Sequence, residues 1–132
     1  EMPHSHVPVG VEMLIKWLLS KNILSVIAHP ERNRELLAEP LKFERLRNTH
    51  ALFQITAGSL TGRFGEKVQG FARSLVETKK VHIVASDTHN LTKRPNDMRE
   101  AFQFVSNTDA EFAKKIFVTT PSLIISAVNS DK

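Results

Sequence analysis

Ile23-Leu24-Ser25-Val26-Ile27-Ala28-His29-Pro30-Glu31-Arg32-Asn33 carries an apolar run that stops abruptly in a polar cluster. Residues 23–28 are too few for another helix and read as a buried strand, and His29-Pro30 ends it because the residue before a proline is restricted. The construction recurs downstream, where a strand over 81–85 runs into Ser86-Asp87-Thr88-His89-Asn90. A further strand is expected at 51–56. Helical spacing fills the intervals. Val11, Leu14, Ile15, Leu18 and Leu19 predict an amphipathic helix over 9–21 with Asn22 at its C-terminus. Val68, Phe71, Ala72, Leu75 and Val76 predict another over 66–78, and short helices at 34–37 and 41–48 are separated by Pro40. Strands alternating with helices imply βα units on a parallel sheet, an α/β fold.

Beyond a polar loop at 86–96, helices are expected at 97–105 and 110–116. A last one would be capped by Thr120, with Pro121 in its first turn and Leu123, Ile124 and Ala127 on its apolar face. The faces built on Leu14, Leu18, Phe71, Leu75, Phe102 and Val105 are assigned to the core. Gly58, Gly62 and Gly65 mark a turn that closes the middle strand; their spacing does not match a phosphate-cradling P-loop, and no Lys-Ser/Thr ends it.

The 132 residues, 41% of them hydrophobic, suffice for one domain with a core but not for a complete α/β barrel. The opening Glu1-Met2-Pro3 is read as a fragment boundary. No run approaches the roughly 18 apolar residues of a membrane span. Cysteine is absent, which removes disulfides, zinc-thiolate clusters and cysteine-based phosphatase chemistry. The formal charge of +4 suits a phosphate-bearing partner, but Lys and Arg are scattered, so nucleic-acid binding is not expected.

Parallel α/β folds place their sites at the C-terminal ends of strands, where both polar clusters lie. Asp87 and His89, two positions apart on an extended segment, can face the same way and ligate cations. Alone, Asp-x-His is a weak pattern, and a capping Asp is the plain alternative. His29 could equally satisfy a backbone group, and Arg32 could pair with Glu31 or Glu35. Recurrence at two strand ends favours chemistry, as does an arginine after each, Arg32 three positions past His29 and Arg94 five past His89. An arginine fork suits phosphate. Arg63 is placed near the pocket rim, and His50 and His82 are read as structural.

Three stretches in order, Ile27 through Asn33, Gln54-Ile55-Thr56-Ala57-Gly58-Ser59-Leu60-Thr61-Gly62-Arg63-Phe64-Gly65, and Ala85-Ser86-Asp87-Thr88-His89-Asn90 with Arg94-Pro95, resemble the PHP-type protein tyrosine phosphatases of bacterial capsule and exopolysaccharide operons. The resemblance implies the C-terminal half of a distorted, TIM-like β/α barrel, with residues 1–132 forming the C-terminal part of one PHP phosphoesterase domain. A bridging glutamate lies 28 positions before the histidine in that family, the place held here by Glu1. It further implies that Glu1, His29, Asp87 and His89 are metal ligands and that Arg32 and Arg94 orient the phosphate. The cofactors would be divalent cations, manganese first, with iron, magnesium or zinc open.

The implied activity is hydrolysis of phosphotyrosine on protein by metal-activated water, the partner being the tyrosine kinase of polysaccharide export, in the cytoplasm and without membrane insertion. Alternatives are another PHP phosphoesterase, acting on histidinol phosphate or nucleic-acid ends, or an inert interaction module. The family's first Asp-x-His-x-His segment has no counterpart here. His4-Ser5-His6 has its letters but no preceding strand, and it lies too near His29, so it is left outside the site. The isolated chain is therefore expected to be weak or inactive, and to self-associate or pair with the missing half.

Overall fold

The computed structural model describes residues 1–90 and 96–130. Three short strands, β1 (Val26–Ala28), β2 (Leu52–Thr56) and β3 (Ile83–Ala85), form a parallel sheet in the order β1-β2-β3. Register pairs Ile27 with Phe53 and Ile55 with Val84. Side chains alternate across a strand, so these four share one face, and all four are buried.

Against that face pack α2 (Arg34–Ala38), α3 (Pro40–Arg47), α5 (Glu66–Glu77), α6 (Met98–Thr108) and α7 (Ala110–Lys114). Leu36, Phe43, Leu46, Leu75, Val105 and Phe112 complete the core. Pro40 opens α3 at its first position, where its missing N–H costs nothing. The opposite face, with Ala28, Leu52, Gln54, Ile83 and Ala85, is only half-buried. The architecture is α/β with parallel strands.

Four expectations change. The first strand begins only at Val26; Ile23 and Leu24 are 51% and 53% exposed, because Asn22 turns left-handed (φ 61) after α1 (Val11–Ser20) and the chain meets β2 no earlier than Ser25, whose carbonyl accepts from Leu52 N. Helix α1 does have an apolar stripe, but Leu14 and Trp17 are 53% and 56% exposed and only Ile15 is buried, as no described element covers that face. Phe102 is likewise exposed, edge-on to Phe117.

The stretch after β2 is not a simple turn. Residues Ala57–Thr61 form a helical turn, α4, before the glycines take over. Nor does Thr120 cap a new helix: α7 passes through a widened π turn (Lys115–Thr119) into α8 (Thr120–Ser130), and Thr120 itself is helical (φ −64, ψ −46). Pro121 lacks an N–H and crowds the carbonyl four residues back, and a wide turn just ahead of it relieves both. None of the helices among the described residues is long and apolar enough to cross a membrane.

Candidate active site

Both polar clusters emerge from strand ends by the same backbone device. His29 extends the β1 ladder by donating its amide to Gln54 O (2.7 Å), then turns left-handed (φ 37, ψ 53) into a 3-10 turn, Pro30–Arg32. Asp87, two residues past β3, is left-handed as well (φ 48). The other non-glycine residues of positive φ among the described residues, Asn22, His50 and Lys79, close helices, where this conformation is ordinary. Such backbone at strand ends persists only where surrounding contacts impose it, a feature that concentrates at functional sites.

Those contacts form two groups. In the first, Glu1 Oε1 lies 3.0 Å from His29 Nε2, and the His29 ring stacks on His4 with centroids 5.1 Å apart and planes 3° from parallel. One ligand atom from each of Glu1, His4 and His29 lies within 4.8 Å of the others, a set that could hold a cation. In the second, Arg32 Nη1 donates to Asp87 Oδ2 at 2.7 Å, and His89 Nδ1 lies 2.8 Å from the Asp87 carbonyl and 3.7 Å from its carboxylate. Arg32 starts at the β1 end and reaches the β3 end, so it spans the width of β2. It bonds neither Glu31 nor Glu35. Arg94 lies outside the described residues.

Sequence distance alone places His4 outside the site, and the structure brings it in. Asn33 does this: its Nδ2 donates to Pro3 O and His6 O, both at 2.8 Å, while Arg34 N donates to His4 O at 2.8 Å. The same Asn33 caps α2, its Oδ1 accepting from Glu35 N (3.0 Å) and Leu36 N (3.1 Å). An Asn just before a helix is a legible capping signal; its grip on residues 3–6 is not. Asn33→Ala should cost about 2 kcal/mol in chemical denaturation, since a cap goes and the Pro3 and His6 carbonyls lose their donor. Asn33→Asp keeps the cap but cannot donate, so hydrogen exchange at the Val7 amide, which donates to Glu35 Oε2 at 2.5 Å just past the tethered residues, should rise while α2 stays protected. Equal exchange in the Asp variant and the parent would remove Asn33 as the tether.

Glu31 is the second residue that sequence reasoning passed over. It is wholly buried, and its Oε1 accepts from Thr56 N (2.9 Å) and Ser59 Oγ (2.7 Å), tying the 3-10 turn to the start of α4. Its Oε2 has no hydrogen-bond partner among the described residues. Burial raises its pKa from 4.5 to about 7, against the opposing pull of those two donors. The native state therefore holds this proton more tightly than the unfolded chain does. Its contribution to stability is complete below about pH 4.5 and is lost as pH climbs through 7. The full span is roughly 3 kcal/mol. Glu31→Gln keeps the accepting oxygen and cannot ionise, so its stability should overtake the parent's between pH 5 and about pH 8. Parallel pH-stability curves for the two proteins would refute this.

The remaining sequence candidates have other employment. Arg63 forks onto Asp97 through Nε and Nη2, both at 2.6 Å, rather than standing open at the rim. His82 accepts from Phe53 N at 3.0 Å, and its pKa is lowered by burial, then by Lys115 and Arg47, consistent with a neutral structural ring.

The family model for capsular polysaccharide synthesis, CpsB/CapC, matches residues 6–126. Tyrosine-protein phosphatase YwqE of Bacillus subtilis is 45% identical over 101 residues, covering 76% of this chain and 40% of YwqE. Tyrosine-protein phosphatase CpsB of Streptococcus pneumoniae is 35% identical over 114 residues, covering 82% of this chain and 47% of CpsB. A chain from the crystal structures of YwqE and CpsB, described as unique metal-dependent tyrosine phosphatases, superposes with a TM-score of 0.79 at 40% identity, over 84% of this chain and 45% of its own. The chain thus spans less than half the length of these relatives. With a family match running through both polar strand ends, the chain belongs to the CpsB/CapC family of capsular polysaccharide synthesis.

Proposed function

We propose that this chain supplies part of the active site of a metal-dependent phosphatase that removes phosphate from tyrosine on protein. The observation that carries the reading is Arg32: a guanidinium anchored by Asp87 at 2.7 Å, standing between two groups of metal-type donors on the C-terminal rim of a parallel sheet. Among the described residues only its Nη1 is engaged in a hydrogen bond, which leaves most of a planar fork for phosphoryl oxygens. Relatives named tyrosine-protein phosphatases support the substrate class.

Glu1, His4 and His29 would hold one cation, and Asp87 with His89 would serve a second. Oxygen and nitrogen donors without sulfur fit manganese, which we favour, or iron, magnesium or zinc. A divalent cation bound there would polarise phosphoryl oxygens and lower the pKa of an attacking water. The residues of this chain do the rest. Arg32, joined by Arg94, binds and orients the phosphate, and the buried Glu31 and Asn33 hold the loop that carries His29 and Arg32.

The half-covered sheet face and the exposed stripe of α1 favour a wider barrel of the PHP type, in which residues 1–132 form the C-terminal part of the domain and a preceding Asp-x-His-x-His segment supplies further ligands. On that reading the isolated chain is weak in catalysis and associates through the α1 face, and the natural substrate is the tyrosine kinase of polysaccharide export, met in the cytoplasm. The decisive assay compares phosphate release from a phosphotyrosine peptide and from histidinol phosphate. It uses manganese-loaded chain, alone and mixed with the part of YwqE that the match leaves out. Activity on the peptide that rises on mixing is the expected outcome; preference for histidinol phosphate would replace this reading with another PHP phosphoesterase.

A further inference from the structure

The glycine-marked loop after β2 has so far no role, yet its geometry is specific. Helix α4 closes on Gly62 at φ 92, and α5 is entered through Gly65 at φ 92, ψ 165, a region open essentially to glycine alone. Between them stand Arg63 and Phe64. Arg63 N donates to Gly58 O at 2.9 Å, and the Arg63 guanidinium is locked on Asp97. A Cβ at Gly58 would come within 3.0 Å of Asp97 Oδ2 and 3.3 Å of Phe64 Cε2, so the loop can close this far only over a glycine.

The loop delivers Phe64 to Arg32, whose Cζ sits 4.2 Å from the centroid of the Phe64 ring. Arg32 is then held twice. The Phe64 ring lies against the guanidinium carbon, and the Asp87 carboxylate anchors Nη1 at 2.7 Å, with the Arg32 side chain only 10% exposed. Arginine stacked on an aromatic face gains most where water is excluded. A long side chain held in advance also loses less freedom when it binds.

We infer that Phe64 is a positioning residue for the phosphate grip: its ring fixes the Arg32 fork in the orientation that meets the oxygens of a phosphomonoester. The inference rests on the assignment of Arg32 to phosphate proposed above. Without the ring, Arg32 keeps its charge and its bond to Asp87 but loses the second of its two holds. Affinity for phosphate should then fall about tenfold, within the range of a desolvated cation–π contact.

The test is a titration of the metal-loaded protein with inorganic phosphate, followed by the Arg32 Nε–Hε resonance in nitrogen-15 NMR. Arg32→Lys identifies that resonance. Phe64→Leu should shift it in the absence of phosphate, because the ring current is gone, and should weaken phosphate binding about tenfold with metal content unchanged. Phe64→Tyr, which restores a ring face, should restore both. Should the leucine protein melt early, Phe64→Met refills the space without a ring and is judged by the same criteria. Phosphate binding in the leucine or methionine protein equal to the parent's overturns the inference, as does a tyrosine protein as weak as the leucine one. A flat titration in the unsubstituted protein overturns the phosphate reading of Arg32, and this inference falls with it.

Discussion

In the metal-loaded assembly proposed above, chain plus complementing segment, replacing His29 with alanine is expected to lower kcat/KM on a phosphotyrosine peptide about a thousandfold, the equivalent of several kcal/mol of charge stabilisation at a metal centre. His29 is the most deeply buried of the proposed ligands, its side chain 7% exposed, and its ring contacts both other members of its group, Glu1 at 3.0 Å and His4 by stacking. Removing it takes away the buried ring that both Glu1 and His4 contact, and both sit on residues 1–6, which Asn33 tethers through Pro3 O and His6 O. The signature is therefore in metal dependence. Calorimetric titration with manganese should show weaker binding at one site, and raising the manganese concentration should recover part of the activity. Activity lost with metal affinity intact would take His29 out of the ligand set.

Arg32→Lys is the second large effect, about a hundredfold to a thousandfold in kcat of that same proposed assembly, the scale of deleting a preorganised donor at a developing oxyanion. Lysine retains the charge, so simple Coulomb attraction survives. It lacks the planar fork, cannot keep the bond to Asp87 and stack on Phe64 in one arrangement, and hydrates more strongly. Manganese affinity should hold within a fewfold, which separates this variant from the His29 one. A lysine protein as fast as the parent would show that charge alone suffices and would dismantle the argument from geometry.

Much of this was open to inspection in the one-dimensional chain. Alternation of short apolar runs with helical periodicity announced parallel βα units, and helices at Pro40–Arg47 and Glu66–Glu77 lie within a residue of their expected ends. Local signals of that kind depend on side-chain spacing and on proline, which act over a few residues. They fail where a neighbour distant in sequence decides. Ile23 and Leu24 look like strand residues and lie exposed, and α1 has an apolar stripe that no described element covers. Thr120 and Pro121 carry every mark of a helix start, yet the preceding helix runs through them.

The candidate site divides the same way. Sequence by itself determined where the polar clusters stand: His29 and Arg32 follow one apolar run, Asp87 and His89 another, and each run ends where its apolar residues do. Only the tertiary structure decided who stands beside whom. It drew His4 in through two hydrogen bonds from Asn33, buried Glu31 beneath the loop, and put Arg32 between Asp87 and Phe64, 55 positions apart in one case and a cation–π contact in the other. A carboxylate or a phenylalanine reads the same in sequence wherever it lies; desolvation and ring orientation come into being only when the chain closes around them.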